Sequence, residues 1–398
     1  MPSIYQPHSD IIRLLTERPL SLSDLQTATQ VSLPKLRRVV QELTAADWIR
    51  AVGQNAGTGH RPATLYGLND RSHLIVGVHL QLPGMRLVTM DLTGAIVDEV
   101  DLQSDEPLLP NDALREITYY VRRVRSAFPD RQVIGVGVAT PGFVDSVNGE
   151  ILTIERVPTW QSLPIRSRLE SNLGLPITLA NDIDAIAVAE LRFADSRTSD
   201  DLLYLGYYSG IKASMFLNGE LYKGPFGNAG ILGRTLVAEG SETRLEDAAS
   251  MYAVCALFDA RMDAGLDAHR AVQALPGRRA KFQRILELAE AGDAVCASIT
   301  DALMRTLAFS ISNLLCLIQP SVLIVGGALS TMPVRLFERL ERKIRLPLTP
   351  LVSNRLVIQQ ARLTAPNSVA VGAAHQFMLE YVSSDQFLQQ INQMNETA

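Results

Sequence analysis

The sequence predicts an α/β protein with a small winged helix-turn-helix head and a larger body of two α/β lobes. Between residues 9 and 68, helical patterns precede a Gly-rich hairpin pattern, in the order of a winged helix-turn-helix. From residue 74 onward, strand patterns alternate with helical ones. A strand, turn and strand near residue 74 recur near residue 202, which indicates a weak internal duplication. We expect the head to occupy residues 1–70 and the body residues 71–398.

The first two helices of the head are predicted from apolar spacing and from residues that begin or end helices. The apolar face of the first helix comprises Ile11, Ile12 and Leu15. Pro19 then ends that helix. Ser21 or Ser23 can cap a second helix that buries Leu25 and Ala28. Residues 29–31 are expected to form the turn of the motif.

The third helix is the candidate recognition helix. Ser32 is well placed to cap it, and Pro34 lies in its first turn, where a missing N–H does no harm. Its predicted buried stripe is Leu33, Leu36, Val40 and Leu43. Its opposite face presents Lys35, Arg37, Arg38 and Gln41 to solvent. Such side chains can neutralise phosphates, and Arg or Gln can also read base edges in a major groove.

A wing is predicted after the third helix. Trp48–Val52 and Thr64–Leu68 alternate well enough for two strands, joined by the Gly-rich residues 53–62. His60 and Arg61 at the tip could contact the DNA backbone or minor groove. The candidate DNA-contacting residues are therefore Ser32, Lys35, Arg37, Arg38, Gln41, His60 and Arg61. The alternative is a small helical domain whose charged face is simply solvated.

The charge is unevenly distributed along the chain. Residues 1–72 hold eight Lys or Arg and six Asp or Glu, a net charge of +2. Because the whole chain carries −5, the remainder carries −7. An acidic body repels DNA, so any DNA contact must come from the locally basic head.

The composition is that of an ordinary globular protein, with 47% hydrophobic and 20% charged residues. The N-terminal residues show neither the basic flank nor the apolar run of a secretory signal. The most apolar stretch, residues 313–329, is interrupted by Gln319 and Pro320 and reads as a helix end followed by a buried strand. We therefore expect a cytoplasmic protein that does not span a membrane. The three cysteines are widely separated, which argues against disulfides and against a cysteine zinc site.

The body begins with three strands, a helix and a further strand. Their predicted ranges are His73–Val78, Met85–Asp91, Ala95–Val100, Asp112–Ala127 and Arg131–Val138. The recurring pattern comprises strands at Leu202–Gly206 and Ala213–Leu217. We expect two related lobes with a ligand cleft between them.

Five motifs in the body share their order and spacing with one family. They are VGVATPGFVD at 136–145, LANDIDAIAVAE at 179–190, NGELYKGPFGNAGILG at 218–233, LEDAAS at 245–250 and QPSVLIVGGA at 319–328. Together with the head, they resemble the ROK family of repressors and sugar kinases. The resemblance implies an actin-like, hexokinase-like (ribonuclease H-like) core whose C-terminal helix returns to the first lobe. It also favours a regulator, because the repressors of the family carry a DNA-binding head and the kinases lack one.

Phosphoryl transfer is disfavoured by the residues where the family's kinases bind phosphate. A kinase needs backbone N–H groups that approach phosphate closely and a carboxylate for Mg²⁺. The kinases have Asp followed by Gly-Gly-Thr in the first hairpin, whereas residues 79–84 here read HLQLPG, and Pro83 offers no N–H. In the second hairpin, residues 207–210 read YYSG, with bulky side chains. Gly326 and Gly327 are retained near the expected adenosine position, but close strand-to-helix packing explains them better, because paired glycines are a weak signal of nucleotide binding.

Some sugar-binding residues of the family are retained in this sequence, and others are replaced. Asp182 matches the catalytic base, which in repressors can still bind a sugar hydroxyl, and Glu246 matches a sugar-contacting Glu. Ile231 and Arg234 replace Glu and His of the family's Glu-x-Gly-His, and Arg156 replaces an Asn. The expected effector-binding residues are Pro141, Gly142, Arg156, Asn181, Asp182, Arg234 and Glu246.

Each of these sugar-site assignments has a structural alternative. Asp182 can be a plain helix N-cap, and Glu246 an ordinary exposed helical residue. The two arginines could bind an acidic or phosphorylated effector, because Arg pairs bidentately with such groups. Equally, they could pair with Glu155 or Glu239.

A zinc site of the family type is not expected. The resemblance places one ligand at Arg234 and three cysteines within residues 240–245, which read GSETRL, so all four ligands are missing. We expect neither a metal nor any other cofactor.

These observations favour a transcriptional regulator, most simply a repressor, that binds a double-stranded DNA operator and a carbohydrate effector and has no enzymatic activity. A head of net charge +2 offers few phosphate contacts, so we expect a homodimer or homotetramer with linked heads. The alternatives are a sugar kinase with Asp182 as base and a DNA-binding protein whose body only supports oligomerisation.

Overall fold

The computed structural model describes residues 6–55, 62–154, 157–194, 199–238 and 240–397. The chain forms two compact units. The first unit comprises residues 1–192 and 365–398, and the second comprises residues 193–364. The head and the C-terminal residues therefore both belong to the first unit.

The head has the elements predicted for a winged helix-turn-helix, in the predicted order. They are α1 (Gln6–Glu17), β1 (Leu20–Ser21), α2 (Leu22–Thr29), α3 (Leu33–Ala45), β2 (Ile49–Asn55) and β3 (Ala63–Leu68). The strands form an antiparallel sheet of order β1-β3-β2. Ser21 caps α2 through a reciprocal capping box with Asp24, which satisfies backbone donors at both residues.

Two residues of the predicted core of the head are less buried than expected. Ala28 is exposed, because the two-turn helix α2 buries only Leu25 fully. Leu33 is half-buried, since the buried stripe of α3 runs through Val39 instead. That stripe is Leu36, Val39, Val40 and Leu43, which follows helical spacing of i, i+3, i+4 and i+7.

The body of the first unit is a five-stranded sheet with helices on both faces. Its elements up to the unit boundary are β4 (His73–Leu80), β5 (Met85–Asp91), β6 (Ile96–Leu102), α4 (Pro110–Ala127), β7 (Gln132–Thr140), β8 (Phe143–Asp145), β9 (Glu150–Thr153), β10 (Gln161–Leu163), α5 (Ile165–Leu173), β11 (Ile177–Asn181) and α6 (Asp182–Phe193). The sheet order is β11-β7-β4-β5-β6, with β4 parallel to β7 and antiparallel to β5. Strands β8 to β10 form a separate antiparallel sheet.

The second unit contains a second five-stranded sheet and a largely helical layer. Its strands and helices are β12 (Leu202–Tyr207), β13 (Ile211–Leu217), β14 (Glu220–Tyr222), α7 (Leu245–Ala249), α8 (Met251–Arg261), α9 (Asp267–Ala274), α10 (Arg278–Glu290), α11 (Ala294–Ile318), β15 (Val322–Gly327), α12 (Val334–Arg345), α13 (Pro350–Arg355) and β16 (Val357–Gln360). The sheet order is β14-β13-β12-β15-β16.

The two sheets share one topology. In each, the first strand pairs antiparallel with the second and parallel with a later strand, β7 in the first unit and β15 in the second. The predicted internal duplication is therefore present in the strand order of the two units, as expected for the two-lobed fold.

The chain returns to the first unit through its last two helices, α14 (Ser368–Tyr381) and α15 (Asp385–Thr397). Helix α14 packs against β4 and β7, and α15 packs against α3 of the head. Alternate residues of β4, Leu74, Val76 and Val78, pack with α4 in a separate core cluster. Because successive strand residues point to opposite faces, α14 and α4 cover opposite faces of the sheet.

Within the described part of the chain, helix α11 alone is long and apolar enough to cross a membrane. Several of its residues, including Ile299, Leu303 and Leu307, lie in the hydrophobic core of the second unit. A helix buried in a protein core can be as long and as apolar as a membrane-spanning helix. The length and hydropathy of α11 are therefore weak evidence that it crosses a membrane. The predicted helix end and buried strand of residues 313–329 are present as the end of α11 and β15.

Candidate functional site

The candidate recognition helix α3 exposes a basic face. Lys35, Arg37, Arg38 and Gln41 are all exposed, opposite the buried stripe. The side chains of Lys35 and Arg37 form no ion pair with any residue that the structure describes. Ser32 precedes the helix in extended conformation, but its side chain makes no capping hydrogen bond. The predicted cap is therefore present in backbone geometry only.

Arg38 is held by acidic Glu42 on the same helix. Its Nε lies 2.7 Å from Oε1 of Glu42, one turn later. The other carboxylate oxygen of Glu42 lies 2.8 Å from Nε2 of His8 in α1. Burial would raise the pKa of Glu42, but hydrogen bonds from Arg38 and His8 hold that pKa below its ordinary value. Arg38 is thus oriented by the head itself, while its side chain stays largely in solvent.

The wing is described only in part. Its strands β2 and β3 pair from Ile49↔Leu68 to Asn55↔Ala63, with a register shift between Ala51 and Gly53. His60 and Arg61, predicted at its tip, lie outside the described residues. Arg50 near the base of the wing pairs with Asp70, with 2.9 Å between Nε and Oδ1.

Four of the predicted effector residues lie close together in the first unit. Asn181 ends β11 and Asp182 begins α6. The Asn181 side chain donates from Nδ2 to the carbonyl of Gly142 over 3.1 Å, and its Oδ1 accepts from the N–H of Ile183 over 3.0 Å. Asn181 therefore caps α6, which contradicts the alternative that Asp182 is the cap. Asp182, Pro141 and Gly142 are all half-buried.

Two other predicted effector residues meet in the second unit. Nε of Arg234 lies 3.0 Å from Oε1 of Glu246, and about a quarter of each side chain is exposed. Glu239, the partner that the sequence offers for Arg234, lies outside the described residues, as do Arg156 and Glu155. A side chain at Gly233 would come within 2.9 Å of Oε2 of Glu246, so the carboxylate lies directly over this glycine.

The first hairpin offers no phosphate cradle in its observed conformation. The N–H groups of Gln81 and Leu82 both donate to the carbonyl of Gly84, over 3.1 and 3.3 Å. Pro83 has no N–H. Burial, reinforced by nearby Arg86, lowers the pKa of His79 to about 3, so this side chain is neutral. The backbone donors that a phosphate would need are thus engaged within the hairpin.

The space beside the paired glycines of β15 is occupied by a tyrosine. A side chain on Gly326 would lie 2.1 Å from Oη of Tyr204. Gly327 has φ of +73°, and a side chain there would meet the carbonyl of Tyr207 at 2.1 Å. Both glycines are therefore required by packing against the neighbouring strand β12, rather than against a helix as predicted. Oη of Tyr204 also lies 3.4 Å from Oη of Tyr208.

The loop that would carry the zinc ligands is ordered by backbone contacts. Leu236 and Arg244 form an antiparallel bridge, and the N–H of Leu245 donates to the carbonyl of Thr235 over 2.8 Å. The N–H of Arg244 donates to the Asp247 carboxylate over 3.3 Å.

Elsewhere in the second unit, His269, Asp293 and Cys296 place one potential metal ligand atom each within 4.8 Å of the others. Nδ1 of His269 accepts from the N–H of Asp263, so Nε2 carries the proton and donates to Asp293. The same carboxylate caps α11 by accepting from the N–H of Cys296 over 2.8 Å. Burial and the nearby Asp293 carboxylate raise the pKa of the Cys296 thiol to about 12. A metal would have to displace these bonds and deprotonate this thiol, so the group fits helix capping better.

Sequence patterns missed two residues that shape these sites. The strand pattern of residues 202–206 includes Tyr204 but does not indicate that it fills the space beside Gly326. The alternation of residues 48–52 makes Trp48 the start of a wing strand but does not indicate that it packs against residues more than 300 positions away. A buried Trp at the end of a recognition helix is the available signal for the second, because its partners are distant in sequence.

Comparison with known proteins identifies relatives over most of the chain. The ROK family model matches residues 84–378. The xylose repressor of Caldicellulosiruptor bescii is 21% identical over 344 residues, which cover 83% of this chain and 85% of the repressor.

Solved structures show the same fold. A ROK family transcriptional regulator, described as a homologue of the E. coli Mlc protein, has a TM-score of 0.78 and 21% identity and covers 96% of this chain and 98% of its own. The ROK hexokinase of Thermus thermophilus has a TM-score of 0.64 and 24% identity, and covers 78% of this chain and 100% of its own. With a family model that matches about three quarters of its length, the chain belongs to the ROK family.

Proposed function

We propose that this protein is a DNA-binding transcriptional repressor of carbohydrate-metabolism genes that responds to a sugar or sugar derivative. The observation that carries this proposal is the exposed basic face of α3, formed by Lys35, Arg37, Arg38 and Gln41. It lies in a head whose elements follow the winged helix-turn-helix order, in a chain related over most of its length to a xylose repressor. The remainder of the chain is acidic, so this face is the natural DNA contact. The operator would be double-stranded DNA in the cytoplasm.

Six described residues are the proposed effector-binding residues. In the first unit these are Pro141, Gly142, Asn181 and Asp182, and in the second Arg234 and Glu246. Arg234 stands where the family has a histidine, and its guanidinium is paired with the Glu246 carboxylate. An effector with an acidic or phosphate group would bind this guanidinium through charge-assisted hydrogen bonds, in competition with Glu246.

We further propose that the protein has no kinase activity. Support comes from the hairpin of residues 79–84, whose N–H groups bond to Gly84, and from Tyr204 beside Gly326. A sugar kinase is the second candidate function, favoured by Asp182 at the start of α6 and by the similarity to a hexokinase.

A homodimer is the proposed assembly. One exposed face of α11 carries Phe309, Asn313, Cys316 and Leu317 at helical spacing, with Phe309 50% and Leu317 81% exposed. Exposed apolar rows of this kind mark interaction surfaces. Two linked heads would also raise the affinity of a weakly basic head for a pseudo-palindromic operator.

The test begins with selection of DNA from a random pool by the full chain, followed by affinity measurement on the selected duplex. Thermal shifts are then measured with neutral sugars, amino sugars, sugar phosphates and sugar acids, since a ligand of the folded state raises stability by mass action. The proposal expects a selected duplex with a palindromic element and a shift that Asp182→Ala or Glu246→Ala abolishes. Failure to select any DNA sequence would contradict the proposed repressor function. Thermal shifts that persist in both variants would contradict the assignment of the effector-binding residues.

A further inference from the structure

We propose that an aromatic joint positions the recognition helix and passes displacements of body helix α14 to it. The aromatic joint comprises Trp48, His73, Tyr381 and Phe387. This inference rests on the proposed function for its DNA-binding consequence, but its structural part can be tested without DNA.

Trp48 is attached directly to the end of the recognition helix. It follows α3 by three residues, and its N–H donates to the carbonyl of Leu43 in the last turn of that helix over 2.9 Å. Its own carbonyl accepts from the N–H of Asn69 over 2.9 Å. The side chain is completely buried. The backbone of Trp48 is therefore fixed to the end of α3, so a displacement of the whole residue moves that end of the helix.

Three rings from the body surround that indole. The ring of His73, at the start of β4, is stacked with its centroid 5.0 Å away. Tyr381, the last residue of α14, is stacked at 6.2 Å, and Phe387 in α15 meets the indole edge-on at 4.9 Å. These stacked and edge-to-face arrangements are the preferred geometries of aromatic pairs. The rings thus connect α3 to the sheet and to both C-terminal helices.

The indole is held by ring packing without a side-chain hydrogen bond. Nε1 of Trp48 is buried and has no hydrogen-bond partner among the residues that the structure describes. Stacking contacts do not fix one lateral position of a ring as a hydrogen bond would. A displacement of the indole parallel to its stacked neighbours therefore breaks no side-chain hydrogen bond. A buried donor without a partner is uncommon.

The other end of α14 contacts the helix that begins at Asp182. A side chain at Gly372 would lie 1.9 Å from the carbonyl oxygen of Ala185 and 3.2 Å from Cβ of Ala189, both in α6. Only glycine allows α14 to approach α6 so closely. Gly372 and Tyr381 lie nine residues apart on one helix, a separation of about 14 Å at 1.5 Å per residue.

These contacts form one continuous route within the first unit. A ligand at Asp182 that displaces α6 must displace α14, because no space separates their backbones at Gly372. The movement of α14 reaches Trp48 through Tyr381, and Trp48 moves α3. Trp48 is in this scheme a positioning residue, since it acts on the DNA-contacting side chains only through the helix that bears them.

The first experiment measures hydrogen exchange by mass spectrometry on the full chain. Phe387→Ala removes one ring of the aromatic joint, and Phe387→Leu is the matched variant that keeps an apolar side chain. Exchange of α3 amides should rise about tenfold or more in Phe387→Ala and less in Phe387→Leu, while α11 in the second unit stays unchanged. Unchanged α3 exchange, or an equal rise in α11, would overturn the positioning role. If Phe387→Ala does not fold, Trp48→Phe is measured with the same expectations.

The second experiment tests transmission with a double-mutant cycle. Gly372→Ala, or Ala189→Val where the former does not fold, disturbs the contact between α6 and α14. It should raise α3 exchange about threefold or more in the wild-type chain and have no further effect in Tyr381→Ala, because that substitution removes the ring through which α14 contacts Trp48. The same fold-change in both backgrounds would overturn the transmission.

A parallel measurement on DNA separates the two proposals. Phe387→Ala should weaken binding to the selected duplex about tenfold, as expected when α3 is no longer held in place. An unchanged affinity would overturn the consequence for DNA binding. If the full chain selects no DNA at all, the proposed function fails, but the exchange results still decide the aromatic joint.

Discussion

Arg234 and Glu246 form an ion pair in the second unit, with 3.0 Å between Nε and Oε1 and about a quarter of each side chain exposed. The resemblance to the family gives each of these residues a role toward a sugar, yet here they are each other's partner. A ligand that uses the Glu246 carboxylate must therefore compete with a guanidinium. A ligand with its own anionic group must likewise compete with Glu246 for the guanidinium.

This pairing predicts energetic coupling between the two residues. Arg234→Ala leaves the partly buried Glu246 carboxylate without its counter-ion, and Glu246→Ala removes the same ion pair. The two single substitutions together should therefore lower the free energy of unfolding by more than the double substitution does. We expect a coupling free energy of about 0.5–1 kcal/mol in urea unfolding of wild type, Arg234→Ala, Glu246→Ala and the double variant, after allowance for solvent screening. Additive effects would show that the ion pair contributes nothing to stability.

Incubation with ATP, Mg²⁺ and a panel of hexoses and pentoses should give no turnover above background. The N–H groups of Gln81 and Leu82 are engaged with Gly84, and Tyr204 lies against Gly326. ATP alone should also leave the thermal midpoint unchanged, because it would stabilise the folded chain only by binding it. Asp182→Asn serves as the control, and turnover that this substitution abolishes would establish the kinase instead.

Charge removal on α3 should flatten the salt dependence of DNA binding. Lys35 and Arg37 are exposed and lack ion-pair partners among the described residues. Each substitution to Ala should lower the slope of log affinity against log salt by about 1, if each side chain contacts one phosphate. Arg122→Ala, an exposed arginine of α4, removes the same charge outside the head and should leave the slope unchanged. Equal slopes for all variants would exclude α3 as the DNA contact.

The first unit should lose stability between pH 7 and pH 5. Burial lowers the pKa of His73 to about 4 and the pKa values of His79 and His375 to about 3, from an ordinary value of 6.5. Below pH 6.5 the unfolded chain therefore binds protons at these histidines that the folded chain does not bind, so the free energy of unfolding falls as pH falls. Each histidine should contribute about 2 kcal/mol of loss at pH 5.

Urea unfolding followed by tryptophan fluorescence can measure this loss, because Trp48 and Trp160 both lie in the first unit. His73→Phe keeps a ring against Trp48 but cannot titrate. The difference in unfolding free energy between pH 7.5 and pH 5 should be about 2 kcal/mol smaller in this variant. An identical difference in both proteins would contradict the assignment to His73.

The sequence predicts those features that depend on local spacing and misses those that depend on distant contacts. The helices of the head follow from apolar periodicity and from caps such as Ser21, and the internal duplication from recurring strand patterns. The pairing of Arg234 with Glu246 could not be predicted, because the path of the chain between the two residues is set by tertiary contacts. The same holds for Trp48, whose ring partners Tyr381 and Phe387 lie at the other end of the chain.

The family resemblance predicts which residues lie at the site but not which neighbours each of them contacts. It places Asp182 and Asn181 side by side, and the structure assigns the cap of α6 to Asn181, whose amide also bonds to Gly142. It places two glycines near an adenosine, whereas Tyr204 and Tyr207 explain both by packing. Function inferred from a motif therefore depends on which neighbours fill the surrounding space.

Self-association through α11 can be tested with the protein's own cysteine. Cys316 is exposed on the face that carries Phe309 and Leu317, whereas Cys255 and Cys296 are buried. If two copies pack this face around a two-fold axis, mild oxidation should link them through Cys316, and Cys316→Ser should abolish the link. Light scattering should give twice the monomer mass.

Leu317→Asp should convert that dimer to a monomer, since a stable interface of about 1,200 Å² or more cannot bury an unpaired carboxylate at its centre. Phe226→Asp introduces the same charge at an exposed apolar residue outside α11 and should leave the mass unchanged. Because affinity for a palindromic duplex depends on two linked heads, Leu317→Asp should also weaken DNA binding while leaving the fold of the head intact. A Leu317→Asp protein that stays dimeric would place the interface on another surface.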